Sequence, residues 1–172
     1  SKTPNFDLTF LLYPNKKNIV TKNLIDSLIQ DRFQKASKMI FSHCPIQQLQ
    51  GIKSIKGLGL GLTPSGDDFI FGILLAIRFL EKCCTLNLQA KIEKIYYQAK
   101  SENIFSHTFL SCIYNGGVNQ KFHRFLSAFA STKELPEQAI ELLSLGASSG
   151  VDLLVGFYLA LKRRKKWLPE VK

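Results

Sequence analysis

Two segments of this chain open on the same polar motif and then turn apolar on every side. The first runs from Ser65 to Arg78 as SGDDFIFGILLAIR, the second from Ser149 to Lys162 as SGVDLLVGFYLALK. Aligned without a gap they share Ser, Gly, Asp, Gly, Leu and Ala, and both end on a basic residue. A soluble protein uses a helix that is apolar all round as the centre of its core. Two buried central helices are therefore expected, each entered by a Ser-Gly-x-Asp turn that carries polar groups into the middle of the fold. Such an arrangement suggests a site. Gly72 and Gly156 fall at the same point of each helix. An interior glycine costs about 1 kcal/mol relative to alanine. Close packing of the two helices is the favoured reason for it, and close approach of a ligand is the other.

The apolar runs Phe69–Ile77 and Leu153–Leu161 are nine residues each, far below the roughly 20 that span a bilayer. No membrane partner is expected. The 172 residues, 45% of them hydrophobic, suffice for one domain with a sizeable core. No signal-peptide pattern precedes Ser1, and the missing initiator methionine suggests a C-terminal piece of a longer chain. Cys44, Cys83, Cys84 and Cys112 form neither a CxxC pair nor a zinc spacing. They read as free thiols of a cytoplasmic protein, with no metal-ligating set.

The net charge of +10 raises the possibility of nucleic-acid binding. Its distribution argues against it. Lys162-Arg163-Arg164-Lys165-Lys166 lies at one end and Lys16, Lys17 and Lys22 lie near the other. No nucleic-acid-binding signature accompanies them. The terminal run reads as a solvated tail or helix end, with Trp167 as its anchor; attraction of an anionic substrate or an acidic partner subunit is the alternative.

Along the chain, Phe6–Tyr13 (FDLTFLLY) predicts a short strand closed by Pro14-Asn15. Helical periodicity follows. Ile25, Ile29, Phe33, Ala36 and Ile40 predict a helix over Lys22–Ser42. Pro45 opens a short helix to about Leu49, and Gly51–Gly61 reads as a loop. Beyond the first central helix, amphipathic helices are expected around Leu88–Ala99, Phe105–Cys112 and Phe122–Phe129. Gly116-Gly117 caps the second of these, and Pro136 opens the helix that ends near Gly146. The expected fold is mainly α: one domain over 1–172, with strand and loop at 1–20, a helical core at 21–163 and a basic tail at 164–172.

The stretch Gly57-Leu-Gly59-Leu-Gly61-Leu-Thr63-Pro64-Ser65-Gly66-Asp67-Asp68 is a glycine-rich loop running into a helix. Glycines let backbone approach a ligand, and free N–H groups at a helix start favour anions. No Gly-Lys-Ser/Thr follows, so it is not a Walker A loop. No βαβ unit surrounds it, so a dinucleotide fold is not indicated. Either Thr63 caps the helix with Pro64 at the first helical position, or Ser65 caps it with Asp68 as a short capping box. The aspartates would then simply offset the helix dipole. That account leaves the four glycines and the recurrence at Ser149 without a reason. The loop is therefore read as ligand-binding, through Gly57, Gly59, Gly61, Thr63, Ser65, Gly66 and Asp67, with Ser149 and Gly150 from the second motif. Two aspartates oppose a bare anion but suit a magnesium–phosphate ligand, or the amide donors of a substrate. Asp68 and Asp152 are equivalent in the repeat. If they face each other, one is protonated or bridged by a cation. They are the expected catalytic carboxylates. His107, at the start of a predicted helix, is the third catalytic candidate, as acid–base group or anion contact; a capping or surface role is its alternative. His43 and His123 read as structural or exposed.

Gly59-Leu60-Gly61-Leu62-Thr63-Pro64-Ser65-Gly66-Asp67-Asp68-Phe69, with Gly72 after it, resembles the signature stretch of the AllH-type proteins. Gly146-Ala147-Ser148-Ser149-Gly150-Val151-Asp152, with Gly156, resembles that family's second short signature. The likeness extends over roughly Gly51 to Lys162. The family includes the third subunit assigned to oxamate carbamoyltransferase in bacterial allantoin breakdown, and its chains usually carry additional N-terminal sequence. The resemblance implies carbamoyl transfer between carbamoyl phosphate and oxamate, giving oxalurate and phosphate, beside partner protein subunits. A homo-oligomer is compatible with it. A non-catalytic scaffold, or a small-anion-binding helical protein, is the alternative.

Overall fold

The computed structural model describes residues 6–13, 24–131 and 135–168. Among these it contains nine α-helices: α1 Leu24–Ile40, α2 Pro45–Ile55, α3 Ser65–Cys84, α4 Gln89–Ala99, α5 Ile104–Tyr114, α6 Gln120–Ser131, α7 Leu135–Leu143, α8 Ser149–Lys162 and α9 Arg164–Trp167. No strand occurs among the described residues, and none of their helices is long and apolar enough to cross a membrane.

The expected N-terminal strand is instead a 3-10 helix, Leu8–Leu12. Its start is fixed twice. The Asp7 carboxylate accepts from the Thr9 N–H at 2.9 Å, and the Leu8 N–H donates to Asp152 Oδ1 at 2.8 Å. A segment whose first donors are taken by carboxylates, with no strand beside it, coils rather than extends. Leu8 and Leu11 point into the core. Other boundaries shift as well. The helix expected over Lys22–Ser42 ends at Ile40, and Lys22 and Asn23 lie outside the described residues, as do positions 14–20 of the expected loop. The helix opened by Pro45 continues to Ile55, through Gly51, because Gly51 is a packing residue. A Cβ there would lie 2.9 Å from the Ala36 carbonyl oxygen of α1. Helix α7 begins at Leu135, one residue before Pro136.

The two repeat segments are the central helices α3 and α8, and they pack on each other. From Ser65 to Ile77 every residue of α3 is buried, as an all-round apolar helix requires. Helix α8 is covered less completely: Tyr158 is 49% exposed. Their crossing is set by two glycines. A Cβ on Gly72 would stand 2.0 Å from the Leu153 carbonyl oxygen, and one on Gly156 would stand 2.1 Å from that of Phe69. Each glycine thus lets its helix touch the backbone of the other. Beside the crossing, Phe79, Phe122, Phe125 and Phe129 surround Phe157 with ring centroids 5.6–6.1 Å away, joining α6 to α3 and α8. Helices α1, α2 and α4 cover the opposite side. The C-terminal basic run is not a free tail over its described length. It forms α9, with Trp167 buried against Phe41 at 5.4 Å.

This crossing predicts that Gly72→Ala and Gly156→Ala each destabilise the fold by about 3 kcal/mol or more, since backbone must move to admit a methyl group. Gly116, with φ of 82° and open space around its Cα, is the control. Its alanine variant should lose only about 1 kcal/mol from backbone strain. Chemical denaturation of the three variants measures the difference.

Candidate functional site

Ser65 and Ser149 are the first residues of α3 and α8, so the Ser-Gly-x-Asp segments are first helical turns rather than turns that precede the helices. The residue before α3 is Pro64, without a side-chain cap. Neither Thr63 nor Ser65 therefore serves as the expected N-cap. Both hydroxyls are turned to a carboxylate instead.

The lead-in to each helix is built alike. Gly66 packs on the last carbonyl of α2, where a Cβ would meet Ile55 O at 1.8 Å; Gly150 packs on α7, where a Cβ would meet Leu142 O at 1.9 Å. The Gly66 N–H donates to Leu58 O at 2.8 Å and the Gly150 N–H to Leu145 O at 3.0 Å. The sequence repeat is therefore a repeat of structure that includes the end of the preceding helix. In the first copy the connecting loop holds Gly57, Gly59 and Gly61 at φ of 70°, 119° and 109°, a conformation that side chains other than glycine rarely take. Gly59 lies against the Ser65 backbone.

The three aspartates have different surroundings. Asp67 is tied into the scaffold: Oδ1 accepts from the Gly57 N–H at 2.8 Å and Oδ2 from the Ser106 hydroxyl of α5 at 2.6 Å. Asp68 Oδ2 accepts from Thr63 Oγ1 at 3.1 Å, and that oxygen lies 3.1 Å from Ser149 Oγ of α8. Burial pushes the Asp68 carboxyl up to about 7, against the opposing effect of the Ser149 and Thr63 hydroxyls; the negative charges of Asp152 and Asp67 add to the rise. Asp152 is fully buried. Burial likewise raises it, to about 6, while the Ser65 hydroxyl, the Leu8 N–H and the Ser148 hydroxyl act against the rise. The serines thus serve across the crossing: Ser149 of α8 on Asp68 of α3, Ser65 of α3 on Asp152 of α8. Ser65 and Ser148 stand near enough to Asp152 to act on its charge, but neither closes a hydrogen bond of good geometry to Oδ2, which stays buried and without a partner.

A cleft of about 460 Å³ opens over this crossing. Its polar floor is Thr63, Asp68, Ser149 and Gly150, and Gly61 belongs to its wall. Gly57, Gly59, Ser65, Gly66, Asp67 and Asp152 do not line it. His107 does not line it either. It sits in the first turn of α5 with its N–H on Asn103 O and Nδ1 buried and unpartnered. The sequence reading missed the cleft's aromatic side: Phe71, Phe105 and Phe109. The i, i+4 spacing of Phe105 and Phe109 reads as a core stripe, yet they are 49% and 46% exposed. It also missed Asn103, which caps α5 and donates from Nδ2 to Leu62 O at 3.0 Å, holding the glycine loop over the cleft.

A family model described as oxamate carbamoyltransferase subunit AllH matches residues 55–161. The chain belongs to the AllH family. The match starts on the last residue of α2 and ends inside the last turn of α8, so the AllH region contains both helix starts, the crossing and the cleft. No solved structure matches the chain. Among the described residues no group of three His, Cys, Asp or Glu is placed to hold a metal ion.

Asp68 and Asp152 are held above the ordinary carboxylate value of 3.8. Between about pH 4 and 7 the folded chain keeps protons that the unfolded chain releases, so their contribution to stability falls as pH rises through that window. Asp68→Asn keeps the shape and removes the charge. It should flatten the decline and raise the melting temperature at pH 8 by a few degrees, with little change at pH 4. Thermal unfolding of both proteins across this range checks the sign.

Proposed function

We propose that this chain is the subunit of an oxamate carbamoyltransferase that supplies a carbamoyl-transfer site, built on the cleft where the N-termini of α3 and α8 meet. The observation that carries this reading is the Asp68–Thr63–Ser149 cluster at the cleft floor, where a buried carboxyl with a pKa of about 7 faces hydroxyl donors and a helix N-terminus. The family match supplies the reaction class.

In the proposed reaction the amide nitrogen of oxamate attacks the carbamoyl carbon of carbamoyl phosphate. A C–N bond forms, the C–O bond to phosphate breaks, and the nitrogen loses a proton. Asp68, ionised above its pKa, takes that proton. The positive N-terminal end of α8 faces the negative charge that develops on the transferring group, while the Thr63 and Ser149 hydroxyls hold the Asp68 carboxyl in place. Asp152 acts on the site through Ser65 and the seating of Leu8, as a positioning residue. Gly61 and Gly150 let backbone reach the substrate, while Gly57, Gly59, Gly66 and Asp67 hold the loop. His107, which does not line the cleft, is given no step in this reaction. The run of degradation served is allantoin breakdown, in the cytoplasm, where the reverse direction conserves the carbamoyl group as carbamoyl phosphate.

A scaffold role is the second reading, and it has its own support. Both oxygens of Asp67 and one of Asp152 are spent on holding backbone and side chains of the fold.

Carbamoyl phosphate should raise the melting temperature of the chain in its complete assembly, inorganic phosphate much less so. At about 100 times its dissociation constant the ligand adds roughly 2.7 kcal/mol. Asp68→Asn should reduce kcat by roughly 10²–10⁴, and the wild-type kcat should climb as pH rises through about 7. Unchanged turnover in both Asp68→Asn and Ser149→Ala would leave the scaffold role standing.

A further inference from the structure

A second cleft lies away from the crossing, between α2, α4 and α9. It is about 430 Å³, within the size range of small-molecule sites. Its apolar lining includes Leu49, Ile52, Leu88, Trp167 and Leu168. Its polar lining includes Gln48, Lys91, Lys94 and Lys166, and among the described residues no carboxylate lines the cleft.

Lys91 is held firmly, and only by neutral groups. Its Nζ donates to Gln48 Oε1 at 2.6 Å and to the Trp167 carbonyl at 2.5 Å. It stands 4.7 Å over the Trp167 ring. Its holders are themselves fixed. Gln48 Nε2 donates to Ser42 O at 2.6 Å, which turns Oε1 toward the lysine. Trp167 Nε1 donates to Ala160 O at 3.1 Å. An ammonium group has three donors, so one remains after these two bonds. Burial, and then the charge of Lys94, push Lys91 down to about 8. A partly desolvated cation with neutral partners and like-charged neighbours gains most from an arriving anion. Leu49 and Leu168, half-buried in the lining, give an apolar body a surface to lie on.

We propose that this cleft binds a small organic anion, a carboxylate or phosphate attached to an apolar body, with its head on Lys91, Lys94 and Lys166 and its body against Leu49 and Leu168, beside Trp167. The site stands apart from the carbamoyl-transfer reading and does not depend on it.

Trp167 is the only tryptophan of the chain, so its fluorescence reports on this cleft alone. The experiment titrates the full chain with phenyl phosphate, inorganic phosphate and benzyl alcohol. Phenyl phosphate should change the emission saturably, and the other two should bind at least about tenfold more weakly, because each lacks one half of the recognition. Lys91→Met and, separately, the more peripheral Lys94→Gln should weaken phenyl phosphate about tenfold or more. Lys35→Gln, with the same loss of charge on exposed α1, should not. Circular dichroism establishes that each variant is folded, and Lys94→Gln carries the test if Lys91→Met is not. Three results overturn the proposal: no saturable response, equal binding of phenyl phosphate and inorganic phosphate, or unchanged affinity in the folded lysine variants. A response that appears only in a chain ending at Leu168 also overturns it, by assigning the cleft to the chain's own last residues.

Discussion

Backbone contact between α3 and α8 at Gly72 and Gly156 is the constraint on which the rest of the structure depends. With a methyl group at either position the helices would separate, and everything set by their closeness would be lost. The phenylalanine cluster around Phe157 is packed for this spacing. So is the exchange of hydroxyls in which Ser149 serves Asp68 and Ser65 serves Asp152. The same rule recurs six residues earlier, where Gly66 and Gly150 seat each helix start on the end of the helix before it. Small residues fix the backbone, and the fixed backbone brings polar groups together inside an apolar core.

That placement has a cost which the fold does not fully offset. Carboxylates are expensive to bury unless paired or hydrogen-bonded. Asp67 meets the requirement with two short bonds. Asp68 and Asp152 meet it only in part, and each holds its proton to higher pH as a result. Structural carboxylates in helix first turns are ordinarily exposed and ionised, offsetting the dipole. A carboxyl kept near neutrality on the floor of an open cleft is instead suited to proton transfer.

Much of this was legible in the residues. The all-round apolar character of both repeat segments marked the central helices, and the matching glycines marked their contact. What sequence could not divide was the work of Asp67 and Asp68. Adjacent helical residues point about 100° apart, so one reaches α5 and the other the cleft, and no pattern in the chain says which. The 3-10 segment was opaque for another reason. FDLTFLLY has the composition of a strand, and the Asp152 carboxylate that draws it into a coil lies 144 residues away. Phe105 and Phe109 kept helical periodicity but line a cleft, because periodicity reports a face and not what covers it. His107 was placed by its local helix start, and its ring turned out to lie off the cleft wall.

The most direct test of this account is a carboxyl-carbon NMR titration of Asp68 and Asp152 in the folded chain. Two buried helix starts that meet at one crossing predict titration near pH 7 for Asp68 and near pH 6 for Asp152. Midpoints close to 3.8 for both, the ordinary carboxylate value, would mean that neither group is held in a common desolvated centre, and the account would be wrong at its core.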